Sequence, residues 1–128
     1  MSHIEKREIL SKKRIIEFQL ITYCFLNRIE VTAGELSCLT LLGEKKEAYL
    51  NAFCIEVYQN KIYSSIQGAR NVLRALELKG LVLKEGRGNK TITLNPSIQL
   101  DTDECIVLDY KFEHVKTNKI PGVDSVNS

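Results

Sequence analysis

A chain of 128 residues, 44% apolar and 27% charged, has the size and composition of one globular domain whose core needs no disulfide or metal staple, which excludes intrinsic disorder and collagen-like repeats. Seven Gly, two Pro and no Trp argue against a turn-dense β-sandwich and for a mainly helical fold. The formal charge of +2 conceals blocks of opposite sign, +3 over residues 1–14, −3 over 15–60, +5 over 61–90 and −3 over 91–128, and the strongest block is the usual electrostatic footprint of a phosphate-backbone binder.

In chain order, Ser2 and Glu5 have the spacing of a capping box, which predicts a long first helix over about 3–28. Its second half, from Ile15 through Phe18, Ile21 and Phe25 to Ile29, is apolar on more than one face and so needs partners on two sides. Thr32 and Glu35 repeat the capping box before a short second helix through Leu36, Leu39 and Leu42, with Gly43 as its stop. Leu50, Phe53, Cys54 and Val57 form the stripe of a third helix over about 45–58. Ser64 and Gln67 give a third capping signature for a fourth helix over 64–79, whose stripe is Ile66, Ala69, Val72, Leu73 and Leu76, closed by Gly80. Residues 81–83 and 91–94 read as two strands joined by the Gly-rich basic turn KEGRGNK and ended by Asn95-Pro96. Alternation from Ile106 to Phe112 predicts a half-buried strand whose partner is unspecified. The expected organisation is a domain over 1–96, a strand extension over 97–115 packing on that domain, and a mobile tail over 116–128.

The apolar stretch after Lys12-Lys13-Arg14 is interrupted by Glu17, Gln19 and Thr22, so neither a secretory signal nor a membrane span is expected. Cys24, Cys38, Cys54 and Cys105 show no Cys-x-x-Cys spacing, and three fall on apolar helix faces as small buried hydrophobes do, which points to a reducing cytoplasm. His3 and His114 belong to no metal or nucleophile spacing, so no enzyme, metal or cofactor is expected. Phe18, Phe25, Tyr49 and Phe53 are expected to fill the core rather than line an effector pocket.

The polar face of the fourth helix carries the chemistry. Gln67, Arg70, Asn71 and Arg74 recur at i, i+3, i+4 and i+7 and project from one side. Arg pairs with guanine O6 and N7, and Gln or Asn with adenine N6 and N7, so the row suits base edges in a major groove, and Gly68 leaves room for close backbone approach.

Three helices, a capped fourth helix and a hairpin with a basic tip form the element order of a winged helix-turn-helix, an α+β fold that is mainly α with a small antiparallel β wing. Over SSIQGARNVLRALELKGLVLKEGRGNKTITLNP, residues 64–96, the chain resembles MarR-like winged-helix regulators and the phage and plasmid replication or regulatory proteins that share the module. The resemblance implies that the fourth helix is a recognition helix presenting Ser65, Gln67, Arg70, Asn71 and Arg74 to double-stranded DNA, with Lys84, Arg87, Asn89 and Lys90 on the wing. It implies a sequence-specific transcriptional regulator of phage or mobile-element type, a replication-initiation or replisome DNA-binding protein, or a winged helix turned to protein interaction. The excess apolar surface of the first helix predicts a homodimer built on that helix, or a monomer in which the C-terminal strand and its connection fold back over it.

Overall fold

Ser11, and not Ser2, starts the first helix of the computed structural model, which describes residues 3–101 and 106–115. Before it, β1 (His3–Leu10) is a strand paired antiparallel with β5 (Ile106–Glu113), in a register running from His3 opposite Glu113 to Leu10 opposite Ile106. The helix expected at about 3–28 is thus shortened at its start, because pairing with a strand from the far end of the chain overrides a local capping pattern. The strand expected near residue 106 is present. Cys105 and the tail expected at 116–128 lie outside the described residues.

Helix α1 (Lys12–Leu26) is capped by the Ser11 hydroxyl, which accepts from the Arg14 amide, and it buries Ile15, Ile16, Leu20 and Cys24. Residues 97–101 pack along it. Gln19 and the Asp101 backbone exchange two hydrogen bonds at 3.0 and 2.9 Å, the Tyr23 and Ser97 hydroxyls meet at 2.9 Å, and Ile98 is buried. These contacts leave another face of α1 uncovered: Phe18, Ile21, Phe25 and Leu26 are exposed, the last two at 79% and 71%. The expectation that Phe18 and Phe25 fill the core therefore fails, because the connection after residue 96 covers a different side of the helix.

Helix α2 (Ala33–Lys45) begins at the expected capping box, in which Thr32 accepts from the Glu35 amide and the Glu35 carboxylate accepts from the Thr32 amide. It does not stop at Gly43. A Cβ there would lie 2.9 Å from Ile16 Cγ2 and 3.0 Å from Leu100 Cδ1, so the glycine serves close packing rather than termination. Lys46, at φ 71°, makes the turn instead.

What reads as the start of the third helix is a three-residue strand, β2 (Glu47–Tyr49), followed by α3 (Leu50–Gln59) and α4 (Ile66–Leu78). A strand so short shows no period, and the helical stripe beginning at Leu50 masks it. Helix α4 ends as expected: Gly80 takes φ 78°, its amide donates to Glu77 O, and the Leu81 amide donates to Leu76 O, which satisfies the last carbonyls by a left-handed turn. The chain then forms β3 (Val82–Glu85) and β4 (Thr91–Leu94), joined by a turn with Gly86 and Gly88 at φ 101° and 68°. β4 takes β3 on one side and β2 on the other, giving a three-stranded antiparallel sheet in the order β2-β4-β3. Asn95 locks its end, donating to Gly80 O at 2.8 Å while its Oδ1 accepts from the Ser97 amide and hydroxyl.

One core joins these parts. Ile16 and Leu20, Leu39 and Leu42, Phe53 and Val57, Leu73 and Leu76, and Ile92 from the middle strand are all fully buried within it. Cys24, Cys38 and Cys54 are free thiols in the same core, as expected. Burial, with Cys54 and Glu35 nearby, pushes the Cys38 thiol up to about 12, far from the thiolate a nucleophile requires.

Candidate nucleic-acid interface

Amphipathicity positions the row on α4. Ala69, Val72, Leu73 and Leu76 are buried, so the helix turns Gln67, Arg70, Asn71 and Arg74 outward, and all four are exposed. The cap is at Ser65, one residue later than the sequence spacing suggests, and its hydroxyl accepts from the Gly68 amide at 2.9 Å. Ser65 is therefore held at the helix start by a structural bond. Gly68 is explained locally too, since a Cβ there would lie 3.1 Å from the Ser65 hydroxyl.

The freed Gln67 amide turns along the helix instead. Its Nε2 donates to Asn71 Oδ1 at 3.0 Å, an i,i+4 amide pair. Arg70 Nη2 donates to Asn51 Oδ1 on α3, also at 3.0 Å. Arg74 is exposed and has no hydrogen-bond or ion-pair partner among the described residues.

Of the four candidates on and beside the turn between β3 and β4, three have no side-chain partner among the described residues and one has. Arg87, Asn89 and Lys90 are exposed in or at the end of the turn, whereas Lys84 sits half-buried on β3 with its Nζ 3.3 Å from Glu77 Oε1 of α4. Lys84 therefore braces the hairpin against α4, and its charge is largely answered there. Lys79, another cation of the basic block, bonds the buried Glu35 carboxylate at 2.8 and 3.0 Å and the Glu30 carbonyl at 2.8 Å. Among the described residues, the charge of this block left without an acidic partner belongs to Arg70, Arg74, Arg87 and Lys90, with Lys61 in the loop before α4.

The start of α3 brings the two groups together. The Leu50 amide donates to the Lys90 carbonyl at 2.8 Å, and the next residue, Asn51, holds Arg70. The base of the basic turn and the cationic row are thus tied to adjacent residues. Asn51 is the functional candidate that sequence reading missed. Its signal is faint: a short amide side chain in the first turn of a helix, where nothing in the sequence shows which residue of the next helix it meets.

Beside this face, Lys45, Tyr49, Phe53 and Glu56 line an open depression of about 350 Å3, bridged by a Lys45–Glu56 ion pair of 2.7 Å. Tyr49 is exposed rather than in the core, while Phe53 is buried as expected. Among the described residues no group of three or more His, Cys, Asp or Glu is placed to hold a metal ion, and no helix is long and apolar enough to cross a membrane. Compared with known proteins, the chain matches no family model, no curated protein and no solved structure.

Proposed function

We propose that the chain is a winged helix-turn-helix protein that binds double-stranded DNA sequence-specifically and acts as a transcriptional regulator, with α3 and α4 as the helix-turn-helix, α4 as the reading helix and the 86–90 turn as the wing. The element order α2-β2-α3-α4-β3-β4, with the sheet closed as β2-β4-β3, supports the fold reading: the short β2 gives the wing hairpin its third strand. The observation that carries the function is the meeting of an exposed cationic row with an exposed basic turn at the start of α3, with Arg74 and Arg87 both without a partner among the described residues. A helix fits a major groove and reads it with side chains of its N-terminal turns, and a basic turn beside it meets backbone phosphate.

The two arginines then have separable signatures. Arg74→Ala weakens binding to the preferred duplex by about 1 to 3 kcal/mol and relaxes preference at one base position, as loss of a base-edge contact does. Arg87→Ala weakens binding to all sequences and reduces the salt slope by about one, as loss of a phosphate contact does. Selection of bound duplexes from random sequence, followed by titrations at several salt concentrations, measures both. Equal losses for Arg74→Ala on preferred and random DNA would remove it from base reading, and no enrichment would remove the function.

The reading includes a homodimer through the uncovered face of α1. Phe18, Ile21, Phe25 and Leu26 are exposed on a helix that buries Ile15, Ile16, Leu20 and Cys24 in the core, and a two-fold pairing would bury them while setting two reading helices about 34 Å apart for successive major grooves. Light scattering at micromolar concentration is expected to give twice the 14.6 kDa chain mass, reduced to the chain mass by Phe25→Glu without loss of helical content. A wild-type chain that stays at the single mass on concentration excludes the dimer.

A further inference from the structure

The Gln67–Asn71 contact has a chemical consequence that neither residue has alone. Gln67 spends one Nε2 hydrogen and Asn71 spends its Oδ1 on each other. Among the described residues, what remains is an unspent acceptor, Gln67 Oε1, beside an unspent donor, Asn71 Nδ2. Both side chains are exposed and both stand in the first two turns of α4, the part of a reading helix that meets base edges. In the major groove an A·T pair presents the adenine N6 donor between two acceptors, adenine N7 and thymine O4. On the guanine edge of a G·C pair N7 is followed by a second acceptor, O6, so an acceptor set beside a donor to N7 meets no donor there; the donor of that pair, cytosine N4, lies on the far side of O6.

Building on the DNA-reading role proposed above, we infer that Gln67 and Asn71 act as one amide unit that selects an A·T base pair: Gln67 Oε1 accepts from adenine N6 and Asn71 Nδ2 donates to adenine N7. The bond between the two amides fixes both side chains before DNA arrives, so less side-chain freedom is lost on binding than for two independent contacts. Arg70, held by Asn51, is fixed in the same way from the neighbouring helix and flanks the unit. The pair is coupled by geometry, so the preference belongs to the two residues jointly and not to either in turn.

The test uses the duplex recovered by selection with the wild-type chain, resynthesised with single changes at each A·T pair: 7-deazaadenine, which lacks the N7 acceptor, or unsubstituted purine, which lacks the N6 amino group. At one A·T pair each change lowers wild-type affinity about tenfold, the loss of one good base contact. Asn71→Ala is insensitive to 7-deazaadenine at that position, Gln67→Ala is insensitive to purine, and the double variant loses little more than either single one. Gln67→Glu, which keeps the acceptor but no longer donates to Asn71, also loses the preference. Circular dichroism and the unfolding midpoint stay at wild-type levels in all four, because both side chains are exposed, and the base-analogue arm on the wild-type chain needs no variant. Enrichment in which no A·T position responds to both analogues, or in which the two variants act additively at different base pairs, overturns the amide unit and leaves DNA reading standing. No enrichment with the wild-type chain overturns both.

Discussion

Replacing Glu35 with Ala is expected to lower the unfolding free energy by about 3 kcal/mol, the sum of a lost helix cap and lost charge-assisted hydrogen bonds. The Glu35 carboxylate is 5% exposed and accepts from the Thr32 amide at 2.8 Å and from Lys79 Nζ at 2.8 and 3.0 Å. It joins the start of α2 to the end of α4, and through Lys79 to the Glu30 carbonyl before α2. Removing it opens the capping box and leaves the ammonium at the end of α4 with one carbonyl. Urea unfolding of the two proteins measures the difference; a loss below about 1 kcal/mol would show that the cap alone is at stake.

The same carboxylate gives stability a pH signature. Burial pushes the Glu35 carboxyl up, but the bonds from Lys79 and Thr32 outweigh it and hold the group below its ordinary value of 4.5. The folded state therefore favours the ionised form, so its contribution is fully present above 4.5 and is lost as pH falls through the lower folded value. The difference in stability between the native chain and Glu35→Gln is expected to be constant from neutral pH down to about 5 and to shrink below it.

Gly43→Leu is expected to cost about 3 kcal/mol or more, although Leu is much the better helix former. A Cβ alone would already stand 2.9 Å from Ile16 Cγ2 and 3.0 Å from Leu100 Cδ1, and Ile16 is fully buried in the core. Neither α1 nor the segment after β4 can take up a further isobutyl group without moving away from α2. Gly43→Ala is the graded control, with a smaller loss in which the helix-propensity gain partly offsets the contact. Thermal unfolding of both variants checks the order, and a Leu variant as stable as the native chain would mean that this contact yields freely.

These sites also show where sequence reading succeeds. The fourth helix and the hairpin are legible from 64 to 96 because every signal there is local: a serine cap, a 3.6-residue stripe, a left-handed glycine and two short strands about a glycine turn. The row on α4 follows from the same periodicity. Gly43 has the signature of a helix stop but is a contact point, and only the approach of Ile16 and Leu100 tells the two apart. β1 is illegible for a related reason. Ser2 and Glu5 match a capping pattern locally, whereas the strand character of residues 3–10 comes from a partner roughly a hundred residues away. The candidate interface divides along the same line. The exposure of Arg70, Arg74 and Arg87 follows from period and turn, whereas the ties of Arg70 to Asn51 and of Lys84 to Glu77 depend on how α3, α4 and β3 are set against each other.

The β1–β5 ribbon has a consequence for the order in which the chain folds. A two-stranded ribbon is marginal by itself, and its first inner pair, Leu10 with Ile106, closes a loop that contains every helix and the three-stranded sheet. The entropy of closing so long a loop in an unfolded chain opposes the pairing. Once α1 is packed and Gln19 has engaged Asp101, the two strands start from nearby points and most of that entropy has already been lost in assembling the core. Ribbon formation is therefore conditional on the interior, and a substitution that loosens the interior also withdraws the support on which β1 and β5 meet.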